Sequence, residues 1–402
     1  ISEENFLNMV EWIDEIKVRA SMGKTGTQSI GDHMWRTLYS PVSYGDKNAL
    51  IPTQLGNDKI KWESTVQKDL GLDFSFMRGR LGGTFGYYHK VTDGTLLNMT
   101  PAPSSSYSTV VFNIAKIRNQ GLEFDIHGDF IRKKDFRWTG NLNISRNVSK
   151  VLDINGGPFS DPNDRDAMNL GTSVVKEGEP LGLLYGRVAT GIIKTQAQLE
   201  AAREEFSLWT IFDPYLNLGD IAYEYEDGFW KEDVIGHATP DFFGGYTNTI
   251  NWNRFTLTAL FTFSYGNDLI YQKDVSDSGM SSLANRGTRV LNHYSEDNTS
   301  SNRPRSMWAT TYMLSSLNVY DASYLKLKTL SLSYNLPESI CRKVRIKSAS
   351  VYGTATNVFT ITSYPGPDPE VSDDPTSVIG GGRDVSTYPT VKSYTFGIRI
   401  NF

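Results

Sequence analysis

Apolar and polar residues alternate along much of this chain, and the pattern is clearest in residues 392–402. There the apolar positions are Tyr394, Phe396, Ile398, Ile400 and Phe402, and small or polar residues stand between them. Alternation with period two predicts a strand with one apolar and one polar face. A soluble domain rarely ends on such a strand, because terminal strands usually fray into polar residues. A strand in an outer-membrane barrel meets lipid on its apolar face and a watery lumen on the other.

About ten segments share this amphipathic alternation and are predicted to be strands. They cover residues 16–25, 63–76, 80–92, 118–130, 135–150, 240–251, 254–267, 322–336, 348–362 and 392–402. Within 322–336 the alternation changes phase near Lys328, which predicts a β-bulge there.

Short and long connections between these segments alternate. The short ones are predicted at residues 77–79, 131–134, 252–253 and 337–347, and the long ones at 25–62, 93–117, 151–239, 268–321 and 363–390. In an up-and-down sheet, all short turns then lie at one end and all long loops at the other. Outer-membrane barrels have this asymmetry, with their long loops extracellular. The predicted fold is therefore all-β, a transmembrane antiparallel up-and-down β-barrel. A soluble sandwich is the competing fold, but its connections are rarely long on one side only.

Composition narrows the class of protein further. The 402 residues carry a net charge of -5, so a nucleic-acid partner is not indicated. No run of 18 apolar residues is present in the sequence, which excludes helical membrane spans. Cys341 is the single cysteine, so an intrachain disulfide framework is impossible.

Several short blocks of sequence occur in a characteristic order. They are residues 16–26, which end in Gly-Lys-Thr-Gly, then 62–65, 71–74, 119–124 (Asn-Gln-Gly-Leu-Glu-Phe), 235–236 with 240–242, 323–328 (Ser-Tyr-Leu-Lys-Leu-Lys), 357–362, 368–370 (Asp-Pro-Glu) and 388–389. Each block alone is a weak signal, but in this order and with the terminal strand they resemble the SusC/RagA family of TonB-dependent outer-membrane transporters.

The resemblance covers only the C-terminal portion of such a transporter, whose barrel has about 22 strands around a plug. Residues 1–402 are therefore expected to be a C-terminal part of the barrel, with the plug and the N-terminal strands absent from this chain. The chain would be a fragment, or one piece of a barrel that another polypeptide completes.

The resemblance implies active import of oligomeric nutrients, either glycan or peptide, across the bacterial outer membrane. The implied partners are a SusD-like surface lipoprotein, the TonB complex acting through a plug segment outside this chain, and outer-membrane lipid. No enzymatic activity and no cofactor are implied. Two alternatives stay open: a structural or assembly barrel component without import, and a soluble extracellular β protein that binds glycans.

One stretch departs from the family. Members often carry an acidic loop that resembles an EF-hand, whereas residues 219–236 here retain Asp220, Glu224, Glu226 and Asp227 without the ligand spacing that calcium requires. We therefore predict no metal site. The acidic residues Asp368 and Glu370 have the chemistry of a glycosidase dyad, but a role in shaping a Pro-rich loop is favoured.

Two groups of side chains are candidates for contact with a solute. Aromatic rings in the long loops stack on sugars or on peptide side chains, unless they only pack the loops together. The candidates are Trp35, Tyr107, Trp209, Tyr215, Trp230, Trp308 and Tyr312. The second group comprises the polar-face residues Glu123, Asp125, Asn141 and Asn143, which would line the solute path or, as we favour, bind the plug.

Overall fold

Ten long strands dominate the chain and form an antiparallel up-and-down sheet. The computed structural model describes residues 11–27, 31–99, 103–107, 109–154, 166–205, 216–280, 285–306, 313–374, 377, 379–388 and 390–402. The strands are β1 (Ile13–Thr27), β2 (Glu63–Phe76), β3 (Leu81–Met99), β4 (Thr109–Arg132), β5 (Phe136–Asp153), β6 (Phe242–Trp252), β7 (Phe255–Tyr265), β8 (Tyr324–Asn335), β9 (Ser348–Thr362) and β10 (Ser393–Asn401). Each strand pairs with the next along the chain, as predicted.

The β-bulge predicted near Lys328 is confirmed. Leu327 pairs with Phe261 of β7, whereas Thr329 pairs with Leu260, so Lys328 is the extra residue at a register shift. The bulge changes which residues of β8 face each side of the sheet, and this is the phase change seen in the sequence.

The connections at one end of the sheet are short. They cover residues 77–80, 133–135, 253–254 and 336–347, and the last contains the short helix α3 (Glu338–Lys343). Asn253 has a φ of 52° in the two-residue turn, a left-handed conformation that asparagine tolerates. The opposite end carries the connections 28–62, 100–108, 154–241, 266–323 and 363–392.

The prediction of a long loop at residues 93–117 is wrong. β3 and β4 continue as a paired hairpin, and only residues 100–108 connect them. Gly94, with a φ of 69°, lies beside a register shift that interrupts the alternation. Beyond it the adjacent residues Val110 and Val111 are both buried, so both faces of this extension are covered. Burial on two sides removes the period-two signal on which the prediction of a strand depends, so this segment was predicted to be a loop.

The long connections contain their own secondary structure. A hairpin of Leu38–Tyr44 and Lys47–Leu55 pairs with the start of β4. The connection between β5 and β6 contains the helix α1 (Gln196–Glu205) and a four-stranded sheet. The strand order in that sheet is Glu232–His237, Leu183–Arg187, Ser173–Lys176 and Ala167–Asn169. The same connection also contains two strand pairs: Ala189–Ile192 with Ile221–Tyr223, and Tyr225–Glu226 with Phe229–Trp230. Between β7 and β8 lie α2 (Gln272–Gly279) and the strands Asp268–Tyr271 and Val319–Asp321, the first of which also pairs with Arg383–Asp384.

The largest apolar core lies at the long-loop end and not against the main sheet. Its buried members come from the outer ends of β4 and β5 and from the connection after β5: Val110, Ile114, Ala115, Ile117, Val151, Ile154, Met168, Val175 and Leu181. By contrast, apolar side chains in the middle of the sheet, such as Leu70, Leu122 and Leu332, are exposed. The helices of the described residues are all too short or too polar to cross a membrane.

Candidate functional site

The pairing register sorts the side chains of the sheet into two faces, because residues opposite each other on neighbouring strands share a face. An apolar row crosses β1 to β5 through Val18, Leu72, Phe85, Phe124 and Ile144. The adjacent row is polar and consists of Lys17, Asp73, Thr84, Asp125 and Asn143. We call the apolar side the outer face and the polar side the inner face.

The outer face is exposed and is bordered by aromatic rings at both ends. Near the short turns the ring centroids of Phe255 and Tyr334 are 4.8 Å apart, and those of Trp252 and Phe255 are 6.4 Å apart. Near the long loops Phe242 stacks on Tyr265 with centroids 5.2 Å apart. An apolar band between two aromatic girdles is the outer surface of a transmembrane barrel.

The terminal strand contributes to this exposed band. Its predicted membrane-facing residues Tyr394, Phe396, Ile398 and Ile400 are all exposed, as is Phe402 directly after the strand. Phe396 is 83% exposed, an extent that would be costly for an aromatic ring in water.

The inner face of the first five strands encloses a polar concavity of about 670 Å³, which is the candidate functional site. Arg19 binds Asp73 through two hydrogen bonds, from Nε to Oδ2 at 2.7 Å and from Nη2 to Oδ1 at 2.8 Å. Asp69 accepts hydrogen bonds from Ser21 Oγ at 3.0 Å and from Gln67 Nε2 at 2.7 Å. Both carboxylates are thus oriented by neighbours on the same wall.

A glycine makes room for an aromatic ring in this concavity. Tyr88 lies across Gly121 of the next strand and donates a hydrogen bond from Oη to Asn147 Oδ1 at 2.8 Å. A Cβ at Gly121 would come within 2.5 Å of Tyr88 Oη and of the Arg146 carbonyl oxygen, so a side chain there requires a shift. Glu123, predicted to face the lumen, lines the same concavity.

The other predicted lumen residues lie farther toward the short turns. Asp125 and Asn143 are direct register partners on the inner face. Asn141 lines a second, smaller cavity of about 240 Å³. In that cavity Arg137 Nε donates to Asp129 Oδ2 at 3.1 Å. The structure therefore places Glu123 and Asn141 in different cavities and the Asp125–Asn143 pair between them along the strands.

A buried charge cluster joins the β9–β10 connection to the inner face of β8. Lys326 is 1% exposed, and its Nζ donates to Asp368 Oδ1 at 2.9 Å and to Glu370 Oε2 at 2.5 Å. Tyr324 Oη donates to Glu370 Oε1 at 2.9 Å, and Lys328 Nζ lies 3.3 Å from the same oxygen. We call these five residues the Lys326 cluster.

Hydrogen bonds keep both acids of the Lys326 cluster ionised. Burial raises the pKa of Asp368, but hydrogen bonds from Thr390 and Lys326 outweigh it and hold the pKa below its ordinary value. Burial also raises the pKa of Glu370, and bonds from Lys326 and Tyr324 again lower it overall. A glycosidase dyad needs one protonated acid, so the arrangement agrees with the loop-shaping role.

The sequence blocks at 323–328 and 368–370 contain all five members of the Lys326 cluster, but their meeting was not predicted. The sequence does indicate that Lys326 has an acidic partner, because a lysine at a buried inward strand position needs a carboxylate to balance its charge. The alternation of β8 does not indicate which loop supplies that partner.

Three of the seven predicted loop aromatics lie in the described part of the chain, each in a different connection. The guanidinium of Arg36 lies 4.5 Å from the ring centroid of Trp35, and that of Arg187 lies 5.0 Å from the ring of Trp230. A hydrogen bond with Tyr39 raises the pKa of Tyr107. Each ring is thus engaged with a neighbour. The remaining four predicted aromatics lie outside the described residues: Trp209, Tyr215, Trp308 and Tyr312.

The acidic stretch at 219–236 is held by basic side chains. Asp220 binds Arg305 through two hydrogen bonds of 2.7 and 3.0 Å, which join the β5–β6 and β7–β8 connections. Lys231 Nζ lies 3.1 Å from Glu224 Oε2. Across the described residues, no three His, Cys, Asp or Glu side chains are grouped so that they would hold a metal ion.

Comparison with known proteins decides the family. The model of the family "TonB dependent receptor-like, beta-barrel" matches residues 8–352. The chain belongs to this family. Its predicted outer-membrane location and its fold as part of a TonB-dependent receptor barrel are thereby confirmed, and the soluble alternative is ruled out.

Relatives of this TonB-dependent receptor chain include the TonB-dependent receptor P3 of Formosa agariphila, 32% identical over all of this chain and 41% of that protein. The TonB-dependent receptor SusC of Bacteroides thetaiotaomicron is 26% identical over all of this chain and 39% of SusC. Both relatives are named as TonB-dependent receptors. The predicted SusC/RagA resemblance is confirmed.

Among solved structures, that of the RagAB peptide transporter matches 99% of this chain and 42% of its own chain, with a TM-score of 0.78 and 23% identity. This similarity shows a shared fold. The chain spans about two fifths of the length of the curated relatives it matches.

Proposed function

We propose that this chain forms ten strands of the barrel wall in an outer-membrane importer of oligomeric nutrients, glycan or peptide. The observation that carries the proposal is the separation of the sheet into an exposed apolar outer face and a concave polar inner face. Lipid covers the first, and the second is suited to a plug and a hydrated solute.

The proposed importer is larger than this chain. The ten strands are close to half of the about 22 strands that such barrels use. We propose that the plug, the segment that contacts TonB and the remaining strands belong to other polypeptide. The paired charges around Arg19 and Asp69 favour a protein plug as the neighbour of the inner face, because charge-assisted hydrogen bonds orient protein groups strongly.

A surface lipoprotein of the SusD type is the proposed partner at the long-loop end. Arg305 and Asp220 join two of the long connections there, and the strand pairing of Asp268–Tyr271 with Arg383–Asp384 joins a third. Loops tied together in this way present a stable surface for a partner to close on.

Purification from outer membranes in mild detergent, followed by mass spectrometry of every co-purifying polypeptide, tests the proposal. The expected result is a plug-bearing polypeptide together with a SusD-like lipoprotein, and nutrient uptake by the cells that stops when TonB is deleted. Recovery of other envelope proteins without these two would overturn the importer and favour a structural or assembly component.

A further inference from the structure

The inner face of the sheet has two chemically different parts. The inward positions of β1 to β4 carry both signs of charge at close spacing. Their ionisable members include Glu15, Lys17, Arg19, Asp69, Asp73, Lys90, Glu123, Asp125, His127 and Asp129. We call this part the charged wall.

The inward positions from β5 to β10 carry mostly hydroxyl groups, and we call this part the hydroxyl wall. One register row crosses all six strands through Thr139, Thr249, Thr258, Ser331, Thr354 and Thr395. The next row consists of Asn141, Thr247, Leu260, Thr329, Thr356 and Ser393. The bulge at Lys328 preserves this alignment, since it returns Thr329 to the inner face.

Two pairs of hydroxyls on this wall are hydrogen-bonded to each other. The Oγ of Ser331 and the Oγ1 of Thr354 are 2.8 Å apart, and Thr356 Oγ1 and Ser393 Oγ are 2.6 Å apart. A hydroxyl both donates and accepts, so such a pair exchanges one partner for water or for a polar solute without leaving a charge unpaired.

Charge is largely neutralised on the hydroxyl wall. Lys326 and Lys328 are held by the acids of the Lys326 cluster, and Arg137 is paired with Asp129 of β4. Arg399 lies near the short-turn end. A solute that moves along this wall therefore meets weak, interchangeable hydrogen bonds. On the charged wall it would compete with ion pairs such as Arg19–Asp73, which favour fixed protein contacts.

A pocket of about 590 Å³ opens at the long-loop end of the hydroxyl wall. Phe243 lines it, lies on the inner face opposite Ser145 and Ser264, and is 45% exposed. Its polar lining includes Tyr324, Ser264 and Asn267 and also the carboxylates of Glu370 and Asp374. An exposed ring beside hydroxyl, amide and carboxylate groups suits a solute rich in hydroxyl groups, such as an oligosaccharide, which stacks on the ring and donates hydrogen bonds to its surroundings.

We infer that the solute path follows the hydroxyl wall, entered through the Phe243 pocket, while the plug rests on the charged wall. This inference depends on the proposed function, because it requires a plug in the lumen. The residues that set the path are then Phe243, Thr249 and Thr258, whose side chains stay in contact with water in the assembled transporter.

Cysteine accessibility in the full-length protein, purified with its partners in detergent, tests this assignment. Cys341 is buried, and Cys341→Ser gives a background without thiols in this chain. Single substitutions Thr249→Cys and Thr258→Cys report on the hydroxyl wall, and Ser21→Cys and Thr84→Cys report on the charged wall. The probe is a small charged methanethiosulfonate, and each site is scored by its extent of modification relative to the same protein denatured in SDS. Scoring extent instead of rate removes the effect of neighbouring acids on thiol reactivity.

We expect Thr249→Cys and Thr258→Cys to be modified almost as completely as in the SDS-denatured protein. At Ser21→Cys and Thr84→Cys we expect most of the protein to stay unmodified. Ser21 and Thr84 are exposed in this chain alone, so their protection would report a covering plug. Protection of all four sites would overturn the inference and leave the proposed importer intact. The opposite pattern, with only the charged wall modified, would also overturn it. Modification of all four sites would show an empty lumen and would overturn both the inference and the proposed function.

Discussion

Replacing Lys326 by methionine is expected to release the β9–β10 connection from the inner face. The ammonium group holds two carboxylates at once, and both Lys326 and Asp368 are almost completely buried. Methionine retains much of the apolar stem but leaves Asp368 without its counter-charge. Removing one partner of a buried ion pair costs about 3–5 kcal/mol. Asp368 keeps its bonds from Thr390 and from the Glu370 backbone N–H, so a cost of about 3 kcal/mol is expected.

Lys328→Met is the matched control for this substitution. Lys328 contacts the same cluster through Glu370 at 3.3 Å, but its side chain is 45% exposed. An exposed ion pair contributes about 0–1 kcal/mol. The two variants therefore remove the same charge from the same strand, and they differ mainly in burial.

Limited proteolysis of the 363–392 connection in outer-membrane vesicles measures the difference. When opening is fast, cleavage follows the population of the open loop, and about 1.4 kcal/mol corresponds to a tenfold change. Lys326→Met should raise the cleavage rate about a hundredfold, and Lys328→Met by less than about tenfold. Equal rates for the two variants, with intact barrels, would refute the argument from burial.

Acidification should loosen the same connection in the unmodified protein. The pKa values of Asp368 and Glu370 are lower in the folded state than in an unfolded chain. Their contribution to stability is therefore complete above the ordinary carboxyl pKa of about 4 and is lost as the pH falls through the lowered values. Cleavage of the connection by an acid-active protease should accelerate below pH ~4 and should be insensitive to pH between about 5 and 7. Acceleration already at neutral pH would contradict the assignment.

Two further predictions concern the two faces of the sheet. Gly121→Ala should lower the temperature at which the barrel loses its compact gel mobility, because the new Cβ would meet the Arg146 backbone and the Tyr88 side chain. At Gly71 the new Cβ would meet only the flexible end of the Arg19 side chain, so Gly71→Ala should change this temperature less. Ile398→Arg on the outer face should lower the free energy of unfolding of the barrel in lipid by about 2 kcal/mol. Thr395→Arg on the inner face of the same strand should be tolerated. If unfolding in denaturant shows equal effects of the two substitutions, the faces are wrongly assigned.

The main sheet was predictable from the sequence because each strand has lipid on one side and water on the other. Such strands alternate, except at the bulge in β8, and the alternation predicted their number. Their up-and-down order was predicted from the alternating short and long connections. The signal fails where both sides are covered by protein, as at Val110 and Val111. There the alternation disappears, and the predicted loop at 93–117 is in fact mostly strand.

For the candidate site, the sequence predicts which face of the sheet its residues lie on, but not how they are grouped. The alternation of β4 and β5 assigns Glu123 and Asn141 to the polar side, but their separation into different cavities depends on the pairing of five strands. The Lys326 cluster depends on a contact between β8 and a distant loop, which no local pattern encodes. The roles of the loop aromatics stay predictions, since most of them lie outside the described residues.

The connection between β5 and β6 has a consequence for how such a protein changes over evolution. Residues 154–241 contain their own four-stranded sheet, and β5 and β6 still pair in unbroken register over ten positions. The entropy of closing a loop grows only slowly with its length, so lengthening or replacing this insertion costs the barrel little stability. New surface chemistry can therefore be acquired in the insertion while the strands that insert into the membrane remain the same.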